Sequence, residues 1–147
     1  NEKRGKYMFN IVTTPKMMDD ALEIRKEVFV KEQGVPLENE IDQFEDVATH
    51  VIGYDSNHIP FATGRFRPVN NSVKIERVAV RATHRKSGYG QLLMQFLETS
   101  AKQQGYNKMT LNAQYHAKPF YEALGYKSTG DIFMEENIEH IAMTKII

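Results

Sequence analysis

The chain has 147 residues, of which 41% are apolar and 26% are charged, a composition typical of globular domains and unlike that of disordered or collagen-like chains. A chain of this length buries about 70% of its unfolded surface, so we expect one domain over residues 1–147. Cysteine is absent, which excludes disulfides, thiolate nucleophiles and cysteine-based metal centres. No apolar run approaches the length of about 18 residues that a membrane span requires, and we expect a cytoplasmic protein that does not bind membranes.

Charge is balanced overall but uneven along the chain. The formal net charge is zero, whereas nucleic-acid binders are usually basic, so nucleic acid is not an expected partner. Residues 19–46 contain ten acidic and three basic side chains, and residues 65–86 contain seven basic side chains and one acidic one. Two interpretations stay open: two solvated faces of opposite sign, or a negative region for a cationic ligand beside a positive region for an anionic one.

Apolar spacing and turn residues predict a mixed α/β domain. A threonine before Pro15 is typical of a helix start, and Gly105 is typical of a helix end. Residues 1–6 are polar and lack the apolar core of a secretory signal. Met8 is a candidate initiator, and residues 1–7 are then additional or flexible. In chain order we predict strands at 9–12, 49–54, 60–66, 73–80, 109–112, 126–128 and 140–146, with helices from Pro15 to about 33, from about 91 to 104 and at 119–124, and a loop at 35–45.

The most informative segment is the strand–loop–helix at residues 78–93. Its loop contains Arg85, Lys86, Gly88 and Gly90 and leads directly into a helix. Amides at a helix N-terminus lack intrahelical partners and the helix dipole favours anions there, while glycines allow a bulky anion to approach the backbone. The pattern therefore indicates a phosphate or pyrophosphate cradle, but it matches neither the P-loop nor the dinucleotide fingerprint.

The same segment, written R-x-x-G-x-G after a V-x-V strand, is followed downstream by A-x-x-F-Y-x-x-L-G-Y at residues 117–126. Together these motifs resemble the GCN5-related N-acetyltransferase (GNAT) superfamily, and the matched element order covers nearly the whole chain. Residues 24–36, IRKEVFVKEQGVP, further resemble the YjcF/ElaA-like branch. The resemblance implies an acyl-CoA N-acyltransferase fold, with a mostly antiparallel mixed sheet that is flanked by helices and splays apart at the cofactor cleft.

The resemblance also implies where acetyl-CoA binds. The pantetheine arm is expected to pair with the strand backbone at Val78, Ala79 and Val80. The pyrophosphate is expected on the loop and first helical turn, and a family asparagine that contacts the cofactor is replaced here by Gln114, which keeps the amide on a longer arm. The cofactor-binding prediction beyond the strand therefore comprises Arg85, Lys86, Ser87, Gly88, Tyr89, Gly90, Gln91 and Gln114.

Direct acetyl transfer requires a neutral amine and benefits from an acid at the departing thiolate. Tyr121 matches the family position whose phenol protonates that sulfur; the alternative is a core aromatic. Glu76 is the carboxylate on the central strand where some family members place a general base. Strand alternation puts it on the face of Val78 and Val80 unless a bulge intervenes. An ion pair with a nearby arginine, or a water chain as base, is left open.

Acetyl-CoA and an amine acceptor are the partners that these motifs imply, and a homodimer is left open. In this architecture the first helix and the following loop flank the acceptor, so their acids predict a cationic amine bound by Glu32, Glu38, Glu40 and Asp42. His50 and His116 lack the spacing of metal ligands, and no metal is expected. The alternative to an acetyltransferase is a non-catalytic acyl-CoA-binding or sensing module.

Overall fold

The computed structural model describes residues 8–147, so the expectation for residues 1–7 lies outside the described residues. The chain forms seven strands and four α-helices within this range, together with one π-helical and two 3₁₀ segments. The strands are β1 (Phe9–Ile11), β2 (Thr49–Tyr54), β3 (Pro60–Val69), β4 (Ser72–Val80), β5 (Lys108–Gln114), β6 (Lys127–Glu135) and β7 (Ile138–Ile146). The helical elements are α1 (Pro15–Arg25), the π segment (Lys26–Glu32), α2 (Leu37–Glu40), α3 (Tyr89–Gln103), α4 (Lys118–Ala123) and the 3₁₀ turns Ala82–His84 and Tyr115–Ala117.

The strands form one sheet in the order β1-β2-β3-β4-β5-β7-β6. All neighbours are antiparallel except β4 and β5, because the α3 crossover returns the chain in the direction of β4. This parallel pair is short: its register joins residues 73–75 to residues 109–111 and then stops. Beyond Ile75 and Leu111 the two strands diverge, which confirms the predicted mixed sheet that splays at its centre.

Helices cover both faces of the sheet. On one face α3 contributes Leu93 and Leu97 to a core that also contains Phe61 and Met109. On the other face α1 buries Ala21 and Ile24 in a smaller core. Leu93 and Leu97 thus mark the buried face of α3, and Gly105 follows the helix with a φ of +96°, a conformation that favours glycine.

Three elements differ from the predictions. The first helix starts as predicted, with Thr14 Oγ1 accepting a hydrogen bond from the Met17 amide at 3.2 Å, but residues 26–32 are π-helical. The predicted loop at 35–45 contains the short helix α2. Strand β6 is much longer than predicted. All nine of its residues are exposed, so its sequence lacks the alternating apolar pattern that predicts a strand, and backbone pairing with β7 stabilises it instead.

The face of α1 also carries a buried ionic cluster around Arg25 and Arg65, which are 1% and 0% exposed. Glu45 joins them, 2.8 Å from Arg25 Nη1 and 3.1 Å from Arg65 Nη1. Burial alone would raise the pKa of Glu45, but the hydrogen bonds from Arg25 and the Asp42 amide and the charges of both arginines lower it to about 2. The folded state thus favours the ionised carboxylate.

Acid is expected to destabilise the protein through Glu45. A depressed carboxyl pKa contributes stability above its ordinary value of 4.5, and that contribution is lost as the pH falls toward about 2. A shift of this size corresponds to about 3 kcal/mol. Urea unfolding at pH 7, 4 and 3 should show this loss in the wild type and a shallower pH dependence in Glu45→Gln. The exposed Glu23→Gln is the control, and equal slopes for all three proteins would contradict the prediction.

Candidate active site

A cleft of about 490 Å³ opens where β4 and β5 diverge. Residues 74–80 of β4 form one wall, and the end of β5 with Tyr121 of α4 forms another. The π segment, α2 and the turn between β6 and β7 close the remaining sides. The sheet's own geometry therefore produces the cleft, because neighbouring strands that stop pairing leave a gap between them.

A bulge at Arg77 determines which side chains of β4 face which side of the sheet. Arg77 has a φ of +58°, and the register with β3 shifts there. Beyond the bulge Val78 and Val80 pack against the α3-side core, whereas Ala79 belongs to the α1-side core. Glu76 therefore lies on the opposite face from Val78, because a bulge inverts the alternation.

The backbone edge of β4 in the cleft has the groups that an extended ligand requires. The Arg81 amide donates to a β3 carbonyl at 2.8 Å, and ladder groups alternate between the two edges of a strand. The backbone groups of Ala79 consequently face β3, whereas those of Val78 and Val80 face the cleft. No strand among residues 8–147 pairs with this stretch of edge. The carbonyl of Val80 accepts a hydrogen bond from Arg85 Nε at 2.8 Å.

The loop before α3 has the geometry of an anion cradle. Gly88 precedes the helix with a φ of +81°, and no side-chain cap bonds to the first turn within the described part of the chain. Lys86 also has a positive φ, of 65°, and its side chain is exposed. Ser87 and Gln91 are exposed beside it, and Gly90 lies in the first helical turn. The first amides of α3 point outward at this position.

Ion pairs and ring contacts anchor this loop to the rest of the molecule. Arg81 Nε binds Glu27 at 2.8 Å, and Arg85 Nη2 binds Glu32 at 2.7 Å. The ring of Tyr89 packs edge-on against Phe61, with centroids 4.7 Å apart. Arg85 is therefore held by its contacts with the π segment and Val80. Lys86 is the exposed cation at the tip of this loop.

Tyr121 lies at the base of the cleft between two aromatic rings. Its ring centroid is 5.0 Å from that of Phe120 and 5.9 Å from that of Tyr126. Burial raises the pKa of the phenol to about 12, so the hydroxyl keeps its proton at neutral pH. Within residues 8–147 the hydroxyl has no hydrogen-bond partner, which leaves the proton available to a bound molecule.

Glu76 also lines the cleft, but cations surround it. Its carboxylate lies 3.0 Å from Arg65, 2.7 Å from Arg67 and 3.7 Å from Lys74. Burial would raise the pKa of Glu76, but the Arg67 hydrogen bond and the neighbouring charges lower it. The structure thus shows the ion pair that the sequence left open, and the ion pair weakens Glu76 as a base.

The carboxylates predicted for the acceptor side divide into paired and unpaired groups. Glu40 is buried and binds Arg25 at 2.6 Å and Arg77 at 3.1 Å, and Asp42 binds Arg65 at 2.7 Å. Glu32 lines the cleft and is paired with Arg85 as described above, whereas Glu38 is exposed and has no ion pair within residues 8–147. The acidic region 19–46 and the basic region 65–86 therefore largely neutralise each other, an arrangement that neither interpretation of the charge pattern included.

Two side chains that sequence reasoning did not single out, Gln33 and His140, also line the cleft. Gln114 donates to Gln33 Oε1 at 2.8 Å across the cleft, and its own Oε1 lies 2.8 Å from His116 Nε2. His140 of β7 is the register partner of Gln114 and also lines the cleft. Only the pairing of β5 with β7 brings His140 here, and no local motif signals that pairing. His50 instead contacts the Glu45 carbonyl at 2.8 Å, outside the cleft lining.

Within residues 8–147 no three histidine, aspartate or glutamate side chains come together as metal ligands. None of the helices described here has the length and apolar character needed to cross a membrane.

Comparison with known proteins gives a consistent result. The sequence model described as "Acetyltransferase (GNAT) domain" matches residues 13–147. The uncharacterized N-acetyltransferase YjcF of Bacillus subtilis strain 168 is 39% identical over 136 residues, which cover 92% of this chain and 96% of YjcF. An acyl-CoA N-acyltransferase structure from Pseudomonas aeruginosa superposes with a TM-score of 0.84 at 26% identity, covering 93% and 98% of the two chains. Escherichia coli ElaA shares the fold with a TM-score of 0.82 at 24% identity, covering 93% and 97%.

Proposed function

Because the chain belongs to the GNAT acetyltransferase family, in the YjcF/ElaA-like branch recognised from its sequence, we propose that it transfers an acetyl group from acetyl-CoA directly to a primary amine of a small molecule or peptide. The observation that carries this proposal is the cleft between β4 and β5, which has an unpaired backbone edge on one wall and a protonated phenol at its base. An amide-containing arm fits the edge, and a thioester at the base lies next to the phenol.

The residues of this chain fit acetyl-CoA at both ends. The backbone groups of Val78 and Val80 that face the cleft are placed to pair with the pantetheine amides, in the way that a peptide adds to a sheet edge. The loop around Gly88 and the first turn of α3 are placed to bind the pyrophosphate, with Lys86 beside it. Gln114 lines the same cleft and is a further candidate contact for this arm.

Acetyl-CoA supplies an activated thioester, and the side chains at the base of the cleft manage protons. Tyr121 donates its phenolic proton to the departing sulfur, a role that its raised pKa permits at neutral pH. Glu76 is one candidate acceptor for the amine proton. Its three cationic neighbours oppose that role, because they stabilise the carboxylate without a proton.

The acceptor that we propose is a cationic amine. Glu32 and Glu38 remain the carboxylates of the predicted set that a ligand can approach, because Glu40 and Asp42 are bound by buried or half-buried arginines. Glu32 lines the cleft and Glu38 is exposed outside its lining, and the turn between β6 and β7 adds Glu135 and Glu136 to the cleft. Carboxylates that face a cleft attract cations and hold them by charge-assisted hydrogen bonds.

Two measurements test the proposed function. Calorimetry should show that acetyl-CoA and CoA both bind and that a short oligonucleotide does not bind. Thiol release from acetyl-CoA should then be followed with spermidine, kanamycin, glucosamine and a peptide with a free N-terminus. Binding of acetyl-CoA without thiol release for any amine would contradict the enzyme and identify the acyl-CoA-binding module instead.

A further inference from the structure

His140 is fixed in the wall of the cleft by its neighbours on both sides. It is the register partner of Gln114 on β5 and of Phe133 on β6, and cross-strand partners share one face of a sheet. His140 therefore lies on the face from which Gln114 reaches Gln33 across the cleft. Its imidazole stacks on the Phe133 ring with centroids 5.8 Å apart, and only 8% of the residue is exposed.

Hydrogen bonding determines which ring nitrogen of His140 carries the proton. Nδ1 lies 2.7 Å from the Ile138 carbonyl oxygen, which can only accept, so Nδ1 is the donor and the neutral ring has its lone pair on Nε2. Nε2 has no hydrogen-bond partner within residues 8–147. Nε2 nevertheless has surface that solvent can reach. Within this range Arg65 Nε is the one side-chain nitrogen or oxygen that is both buried and without a hydrogen-bond partner, so the unpartnered Nε2 is not buried. Nε2 is thus an accessible proton acceptor.

Charged groups of both signs line the cleft around His140. The nearest is Glu135 of β6, with its carboxylate 3.8 Å from Nε2, and an opposite charge at this distance stabilises an imidazolium. The other titratable or charged groups on the walls of the same cleft are Glu136 of the β6–β7 turn, His116 after β5, Tyr121 of α4, Lys74, Glu76 and Arg77 of β4, Glu32 with its partner Arg85, and Glu40.

We propose that His140 is the general base of the transfer, an assignment that rests on the proposed function. Nε2 takes one proton from the incoming ammonium group, and the neutral amine nitrogen then forms the C–N bond to the thioester carbon. The C–S bond breaks with its electron pair on sulfur, which takes the phenolic proton of Tyr121. The nitrogen now carries one proton more than the amide product, and this proton passes to the phenolate of Tyr121. His140 then releases its own proton to solvent.

This assignment separates the base from the ion pairs that weaken Glu76. An imidazole changes charge between about pH 5 and 8, which suits a base that works near neutrality. Glu76 is held as a carboxylate by Arg65 and Arg67, whereas the lone pair of Nε2 is fixed in place by the Ile138 hydrogen bond. Glu135 then stabilises the cation that proton transfer produces.

The decisive comparison uses His140→Asn, His140→Gln and the control His58→Asn. Asparagine retains a donor close to the Nδ1 position for Ile138 but removes the base at Nε2. His58 is exposed in the β2–β3 turn with a φ of +62°, a conformation that asparagine tolerates well, so its variant should behave as wild type. Both His140 variants should lower kcat about a hundredfold or more at pH 7 and leave acetyl-CoA affinity within about twofold, measured with each amine of the panel that the wild type acetylates.

The pH profile and NMR spectra separate this role from a structural one. In wild type and His58→Asn, kcat/KM should fall toward acid as the base becomes protonated, and this limb should be lost from both His140 variants. A folded His140→Gln or His140→Asn that keeps wild-type kcat and the acid limb overturns the base and leaves the proposed function standing. Nitrogen-15 shifts that place the proton on Nε2 at pH 8 overturn the base even if no amine is acetylated. Absence of thiol release with every amine overturns the proposed function, and the base with it.

Discussion

Gly88→Glu is expected to weaken acetyl-CoA binding about a hundredfold or more. Gly88 precedes α3 with a φ of +81°, and a Cβ at this position would meet no atom within 4 Å, so a side chain there projects into the proposed pyrophosphate site. A carboxylate beside a bound pyrophosphate costs several kcal/mol by like-charge repulsion, and each 1.4 kcal/mol is about tenfold in affinity. Titration calorimetry with acetyl-CoA measures the change directly.

The matched control for this variant is Gly105→Glu at the other end of the same helix. Gly105 also has a positive φ, of 96°, and also has open space around it, so the backbone strain is shared and the cradle is left alone. Gly90 is a poorer test, because a Cβ there would lie 3.2 Å from the Phe120 ring next to Tyr121. A folded Gly88→Glu protein with wild-type affinity would remove the pyrophosphate from this loop.

Tyr121→Phe is expected to lower kcat about tenfold to a thousandfold, with little change in acetyl-CoA affinity. The variant keeps the ring that packs between Phe120 and Tyr126 and removes the phenolic proton, so the thiolate departs without its acid. Thiol release should be measured with saturating acetyl-CoA and an amine that the wild type acetylates. Single-turnover kinetics confirm that the chemical step limits the rate under these conditions.

Tyr126→Phe is the matched control for Tyr121. Its hydroxyl donates to Glu98 at 2.7 Å, and Glu98 also binds Lys145 at 2.9 Å, on the side of α3 away from the cleft lining. Losing this buried hydrogen bond should reduce the free energy of unfolding by about 1 kcal/mol and leave kcat unchanged. Equal kcat for Tyr121→Phe and wild type would reduce Tyr121 to a packing residue.

Local sequence predicted the elements whose signals are local. The glycines at the start of α3, the apolar spacing of that helix and the threonine before Pro15 each act within a few residues, and the structure places these elements as expected. The inverted face of Glu76 had no such signal, because arginine at residue 77 gives no indication of a positive φ. Strand β6 was not predicted beyond residue 128, because its stability comes from backbone pairing with β7 and its own side chains remain exposed to solvent.

The two sides of the candidate site differ in the same way. The stretch from Val78 to Gln91 is continuous in sequence, so its predicted placement along one wall of the cleft and in the adjoining loop followed from one motif. On the opposite wall Gln114 lies beside His140, and Gln33 meets Gln114 from across the cleft, although the three residues lie far apart along the chain. The pairing of β5 with β7 brings His140 beside Gln114, and the position of the π segment brings Gln33 opposite them. The charge pattern failed for a related reason, since composition gives the sign of each region but not its partner.

That mutual neutralisation constrains how sequences of this kind can diverge. Glu27 pairs with Arg81 and Asp42 with Arg65, at 2.8 and 2.7 Å, so reversing the charge of one partner places like charges side by side in a half-buried or fully buried position. A substitution that reverses the charge at such a position is tolerated only when its distant partner changes charge as well. We therefore expect correlated substitution between residues 19–46 and 65–86, because ion pairs between these regions fasten the π segment and the loop after α2 to the cleft.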